Sequence, residues 1–273
     1  MKNLELNKVH CGDCLELLCM LEDESIDLII TSPPYNKGGK KDSKSNIFHS
    51  KIEYDEYVDD KKEEDYQAFE LKWLSIAFKK LKKGGSLFYN HKERQNGKGG
   101  TIIPDEWLRE SPFTIRQRII WDRGGAFNNC ATLCADQAEL IYWMTKPDDK
   151  GKVKINKQKF LDEKGKLIGL TNIWRFSPEK KKAFDHPAPF PLGLPIRCLH
   201  LILGQPERYN SAEPFIVLDP FFGTGTTGVA ASQYRGVSWL GFDLSKDYAK
   251  QAQCRVDEFK KSLKSMEKNS IWD

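Results

Sequence analysis

Two short stretches hold side chains of the types that chemistry uses, at spacings that stiffen or open the backbone. Thr31-Ser32-Pro33-Pro34-Tyr35-Asn36 follows the apolar run Ile26-Asp27-Leu28-Ile29-Ile30. Proline fixes φ, lacks an N–H donor and pushes the preceding residue out of helical space, so Ser32-Pro33-Pro34 ends the strand in a stiff, extended exit. Such an exit is either a plain strand stop or a device that holds something still. The second stretch, Phe215 to Gly228, reads as strand, glycine turn and helix start. Gly223, Gly225 and Gly228 satisfy G-x-G-x-x-G, and Asp243 closes the next apolar run, Trp239-Leu240-Gly241-Phe242.

Glycines in that position let the backbone approach a ligand, and N–H groups at the helix start receive an anionic group. Asp243 can accept hydrogen bonds from two ribose hydroxyls, so a nucleoside-type cofactor site is expected. A dinucleotide fits the spacing, but a domain that opens with this motif needs several further βα units, and only 50 residues follow Gly223. The remaining strands must come from the N-terminal part of the chain, in permuted order. Asp219 also falls where a nicotinamide site requires no acid. A carboxylate there suits a ligand carrying an ammonium group, such as the amino-acid end of S-adenosylmethionine. An NAD-dependent oxidoreductase and a catalytically silent nucleic-acid-binding module are the alternatives from other classes.

Positioning these stretches takes a sizeable core, and 273 residues at 39% hydrophobic can bury one without a disulfide or metal staple. Short, nearly continuous apolar runs predict strands over Lys8–Cys11, Asp27–Thr31, Ser86–Tyr89, Ile115–Trp121, Leu140–Met144, Phe215–Leu218 and Val237–Phe242. Helical stretches alternate with them at Cys14–Leu21, Tyr66–Leu81, Leu192–Leu203, Thr226–Gln233 and Lys246–Leu263, which implies an α/β domain with a largely parallel sheet. Seven cysteines are an odd number with no secretion signal, so reduced thiols are expected, and neither Cys11/Cys14 nor Cys130/Cys134 is read as a zinc site. No stretch reaches the length of a membrane span, and a soluble, cytoplasmic protein is expected.

Taken together, the strand plus Gly12-Asp13 near the start, TSPPYN, DPFFGTGTTG and GFD resemble the β-group of S-adenosylmethionine-dependent DNA amino methyltransferases of the restriction-modification type. The resemblance covers nearly the whole chain. In that group a (D/S)PPY tetrapeptide precedes the FxGxG cofactor loop with a target-recognition region between them, the order found here. His186 to Pro191 resembles the segment the group places before its cofactor loop, but lacks the lysine of the common HPxxKP form. The resemblance implies a permuted Rossmann-like methyltransferase fold: a seven-stranded, mostly parallel sheet with one antiparallel edge strand, plus a small target-recognition insertion. Residues 1–144 and 186–273 would form the catalytic domain.

Carried over by motif, Asp219, Phe221, Gly223, Gly225 and Thr226 match the cofactor loop, Asp243 the ribose acid, and Asp13 the residue near the adenine. Ser32, Pro33, Pro34 and Tyr35 match the catalytic tetrapeptide. The cofactor implied is S-adenosyl-L-methionine, with no metal. An exocyclic amino nitrogen has its lone pair delocalised into the ring; Ser32 Oγ and the Pro33 carbonyl would accept its hydrogens, and Tyr35 would stack on a base extruded from the duplex. Methylation at cytosine C5 uses a Pro-Cys dipeptide, and none occurs in this sequence. Within the family SPPY is more usual for cytosine N4 and DPPY for adenine N6, so cytosine N4 is the expected target and adenine N6 the alternative. The partners implied are double-stranded DNA at the nucleoid and a cognate restriction endonuclease, with the enzyme a monomer or homodimer.

The net charge is only +4, but eight lysines stand between Lys146 and Lys166. Residues 145–185, with Lys152, Lys154, Lys157 and Lys159, form a small module that is the candidate recognition region, through phosphate contacts. Residues 37–65 directly follow Tyr35 and are a candidate mobile DNA-contacting loop. Deleting residues 40–60 is expected to weaken DNA binding in a salt titration while sparing cofactor binding; unchanged DNA affinity would retire the loop reading.

Overall fold

A computed structural model describes residues 4–36, 59–96, 100–127, 134, 136–156, 160–161, 167–168, 171–177, 191–206, 209 and 211–269. Strand β1 (Lys8–Cys11) leads through helix α1 (Cys14–Met20) to β2 (Ile26–Thr31), and α2 (Glu63–Lys80) leads to β3 (Leu81–His91). The short pair β4 (Arg94–Gln95) and β5 (Thr101–Ile102) precedes α3 (Asp105–Leu108), and then the long hairpin β6 (Thr114–Phe127) and β7 (Asp136–Lys146). A second small pair, β8 (Phe160–Leu161) and β9 (Leu167–Ile168), and strand β10 (Ile173–Arg175) come next. The chain closes with α4 (Gly193–Leu203), β11 (Phe215–Asp219), α5 (Thr226–Ala231), β12 (Val237–Asp243) and α6 (Lys246–Asn269).

The main sheet runs β1-β12-β11-β2-β3-β7-β6-β10. All neighbours pair in parallel except β7, which is antiparallel to both β3 and β6. This is the expected permuted α/β arrangement with two differences: the sheet has eight strands rather than seven, and the reversed strand lies inside the edge. The eighth strand is β10, which docks on the free edge of β6 in register Ile173↔Ile120 to Arg175↔Asp122. Three contacts hold it there: Trp174 is buried, Arg175 pairs with Asp122 at 2.7 Å, and Trp121 Nε1 donates to Phe176 O.

Alternation along the strands explains why their sequences are apolar throughout. Leu28, Ile30, Val217 and Trp239 face a core shared with Leu199 of α4, Ala230 of α5 and Val256 of α6. Ile29, Leu218, Leu240 and Phe242 face the other core, with Leu18 of α1 and Trp73 and Leu74 of α2. A sheet covered on both faces leaves no polar side of a strand to read.

Parts of 145–185 lie against this framework. Val153 and Ile155 pack on the α4–α6 core, Lys154 N donates to Gly84 O, and Asn156 Nδ2 donates to Leu203 O. No helix among the described residues is long and apolar enough to cross a membrane. The thiol of Cys14, at the start of α1, is buried and pushed up to about 12 by desolvation, so it is held protonated.

One acid is fully enclosed. Glu70 of α2 accepts from Trp73 Nε1 and the Tyr89 hydroxyl, each at 2.9 Å, yet burial raises its carboxyl to about 7. Its ordinary value is 4.5. The folded state therefore holds a proton that the unfolded chain releases, and this stabilisation is lost as pH rises from about 4.5 to about 7. Glu70→Gln keeps an acceptor and removes the titration. The stability difference between variant and wild type, from urea unfolding, is expected to shift in favour of the variant across that interval; a pH-independent difference would contradict the assignment.

Candidate active site

Strands β12, β11, β2 and β3 end together, at Asp243, Asp219, Thr31 and His91. The reversed strand β7 begins at this rim, where Glu139 pairs with Trp121 of β6 and Leu140 with His91. Ligands bind open α/β sheets outside the carboxyl ends of such strands, at the point where the winding reverses. Here that point lies between β11 and β2, adjacent in the sheet.

The turn after β11 is built for close backbone packing. Gly223 and Gly225 have φ of 50° and 80°, in the left-handed region that favours glycine. A Cβ on Gly225 would stand 3.1 Å from the Ala252 backbone, so α6 seats directly against the turn. Asp243 Oδ2 accepts from Gly223 N at 2.8 Å and Oδ1 from Ser245 N at 2.9 Å. The Gly223 N–H, which a pyrophosphate would need, is thus spent on a carboxylate. Gly12 N donates to the Asp243 carbonyl, which sets Asp13 beside it, and Asp13 Oδ1 caps α1 through Leu15 N. Phe221 is half-buried and edge-on to Trp73, with ring centroids 5.4 Å apart. Thr226 is buried, with Arg255 Nη1 donating to its Oγ1 at 2.9 Å.

Asp219 is 2% exposed. Its Oδ1 accepts from Thr31 Oγ1 at 2.8 Å and Phe221 N at 3.1 Å, and its Oδ2 from Thr227 Oγ1 at 2.6 Å. Desolvation still raises its carboxyl to about 6. A carboxylate has about four acceptor positions, so one on Oδ2 is left for a further donor. The residues present fit a cofactor with a nucleoside and a cationic amino-acid end: Asp219, Asp243 and Asp13 gather acceptors at one rim, and an aromatic edge borders them.

Thr31 immediately precedes the tetrapeptide, so its bond to Asp219 places Ser32 next to the glycine turn. Ser32 Oγ lies 2.9 Å from the Tyr35 hydroxyl, which donates to Glu139 Oε2 at 3.3 Å. The Tyr35 ring packs on His91 with centroids 4.5 Å apart. The Tyr66 hydroxyl lies 2.9 Å from Pro34 O and 2.7 Å from His91 Nε2, so α2 braces the second proline from beneath. Asn36, at φ 52°, takes Lys61 N on its side-chain oxygen and gives its amide to Lys61 O, while its N–H donates to Asp59. These bonds close a neck through which the chain leaves after Asn36 and returns at Asp59.

The structure thus brings Ser32, Pro33, Pro34 and Tyr35 together with Asp13, Asp219, Phe221, Gly223, Gly225, Thr226 and Asp243. It does not bring Lys152 and Lys154 to them. The Lys154 backbone bonds to Gly84, near the start of β3, whereas the site lies at that strand's end, about 23 Å further along at ~3.3 Å per residue. The cause is the anchoring of Val153 and Ile155 in the core. Lys157, Lys159, His186 and Cys130 lie outside the described residues, as does 37–58 of the candidate loop. Sequence reasoning missed Thr31, Thr227, Tyr66, Asn90, His91, Arg123 and Glu139. The signal for Glu139 was a lone acid at the mouth of the apolar run Leu140–Met144.

Residues 26–254 match the family described as DNA methylase. The Type II methyltransferase M.ScaI of Streptomyces caespitosus is 26% identical over 276 residues, spanning 93% of this chain and 83% of its own. A putative DNA modification methylase of Thermus thermophilus, solved in complex with S-adenosyl-L-methionine, superposes with a TM-score of 0.61 at 25% identity, covering 93% of this chain and 95% of that one. The cytosine-N4-specific PvuII DNA methyltransferase shares the fold, with a TM-score of 0.67 at 20% identity over 93% of this chain and 90% of that one. With its glycine turn and its proline-stiffened tetrapeptide tied at one sheet rim, the chain belongs to the DNA methylase family that groups N6 and N4 methyltransferases.

Proposed function

We propose that the protein transfers a methyl group from S-adenosylmethionine to the exocyclic amino nitrogen of a base extruded from double-stranded DNA, with cytosine N4 as the target. The observation that carries this reading is the Thr31–Asp219 hydrogen bond, which ties the tetrapeptide to the glycine turn. Bound at that turn, the cofactor supplies a methyl group made electrophilic by a sulfonium. Asp219 and Asp243 would hold its ammonium and ribose ends, and Phe221 would border the adenine side.

The chain's own part is to prepare the nitrogen. Ser32 Oγ and the Pro33 carbonyl take its two hydrogens, which favours a pyramidal nitrogen with its lone pair free. Prolines on both sides of that carbonyl lower the reorganisation needed at the transition state. Tyr35, backed by His91, stacks on the base. Serine is too weakly basic to remove a proton at neutral pH, so the proton leaves to water after transfer.

The serine at position 32 is what favours cytosine. The neck at Asn36 supports the reading of residues 37–65 as a DNA-contacting loop, because Asn36 bonds to Asp59 and Lys61 beside Tyr35. Kinship with Type II methyltransferases favours a restriction-modification setting, with a nuclease that reads the same site.

Digesting methylated DNA to nucleosides is expected to yield N4-methylcytosine; N6-methyladenine alone would overturn the choice of base, and no methylated amino group would overturn the reaction. By calorimetry, Asp243→Ala is expected to weaken S-adenosylmethionine binding about tenfold or more, the order of one lost charge-assisted hydrogen-bond pair. Ser32→Ala should leave that affinity unchanged while lowering kcat by about a hundredfold.

A further inference from the structure

We propose that Glu139 is a positioning residue that sets the direction of the hydrogen bonds at Ser32, making the serine an obligate acceptor. This rests on the methyl-transfer reading of the site. Serine is ambivalent: its hydroxyl can donate or accept, and a donor pointed at an amino group would repel it. A rigid SPPY loop alone does not choose between the two orientations.

The side chains behind it do. Glu139 sits at the start of β7 with its side chain 12% exposed, opposite an Arg123 side chain that is 10% exposed. Its Oε1 takes Arg123 Nη1 at 3.3 Å, and its Oε2 takes Asn90 Nδ2 at 3.4 Å and the Tyr35 hydroxyl at 3.3 Å. Asn90 is itself oriented, since the same amide nitrogen donates to Leu140 O at 3.1 Å. With Arg123 and Asn90 both aiming N–H donors at its oxygens, Glu139 serves as the acceptor here, so Tyr35 must donate to it. A phenol has one proton. The 2.9 Å contact between Tyr35 and Ser32 must then be donated by the serine.

With its proton turned toward Tyr35, Ser32 Oγ presents only lone pairs to an incoming amino hydrogen. The bond to Glu139 is long for O–H···O⁻, but its direction matters here more than its strength. Arg123 completes the device: its Nε donates to Gln137 O at 3.3 Å, which fixes the guanidinium on the rim of the β6–β7 hairpin. Replacing the carboxylate by an amide would allow an N–H to face Tyr35, reversing the phenol and then the serine.

The test is a double-mutant cycle on kcat with the full chain, a duplex substrate and S-adenosylmethionine. Glu139→Gln is expected to lower kcat about tenfold or more, with KM for both substrates and the melting temperature little changed. Tyr35→Phe, which keeps the ring and the Glu139–Arg123 pair, should lower kcat similarly. In the Tyr35→Phe background Glu139→Gln should cost less than about twofold, because the carboxylate acts only through the phenol. A wild-type kcat in either single variant, or losses that multiply in the double variant, would overturn the proposal. If Glu139→Gln does not fold, Tyr35→Phe alone decides it by the same criterion. A wild-type protein that methylates no amino group would instead refute the methyl-transfer reading.

Discussion

A buried carboxylate must be met by donors or be neutralised, and Asp219 meets that demand with groups from three pieces of chain. Thr31 comes from the end of β2, Thr227 from the start of α5, and the Phe221 N–H from the turn between. An uncompensated charge at a site 2% exposed would cost several kcal/mol, so the ionised carboxylate draws these three groups together. The bond therefore does two things at once. It holds β11 beside β2 at the switch point, and it fixes the distance between the turn that would hold the cofactor and the loop that would hold the base.

Around that anchor the two halves of the site are organised differently. At the turn that would hold the cofactor the backbone is shaped for close approach: Gly223 and Gly225 take left-handed conformations, and Asp243 fastens the turn through Gly223 N. Spending that N–H on an acid makes the rim a collector of acceptors rather than of donors, which separates it from a pyrophosphate-binding turn with the same glycine spacing. On the base side the surface is made of side chains braced from below, with Tyr66 under Pro34 and His91 under the Tyr35 ring. Both halves are held by short-range hydrogen bonds, so little of the geometry has to be created when ligands arrive.

Much of this was legible in the sequence because the strands are buried on both faces and the loops are not. Seven of the strands and five of the helices overlap the runs that predict them, and the two motifs identify the ends of β2 and β11. What stayed hidden is what depends on partners far away in sequence. Strand β10 is three residues long and exists because Trp174 finds a core and Arg175 finds Asp122. Glu139 and Tyr35 are 104 residues apart, and only the reversal of β7 brings one to the other. The lysines near 152 show the opposite limit: charge density marks exposure, while the apolar residues between them decide at which end of the sheet they emerge.

The reversal of β7 also shapes how such an enzyme can change. Because one strand runs backward, the β6–β7 tip opens at the same rim as the neck at Asn36, so two excursions of the chain leave from the catalytic edge while the cofactor turn is walled in by α6. Added length at either point leaves every bond of Asp219 untouched. A fold built this way can vary at that edge and inherit its buried anchor unaltered.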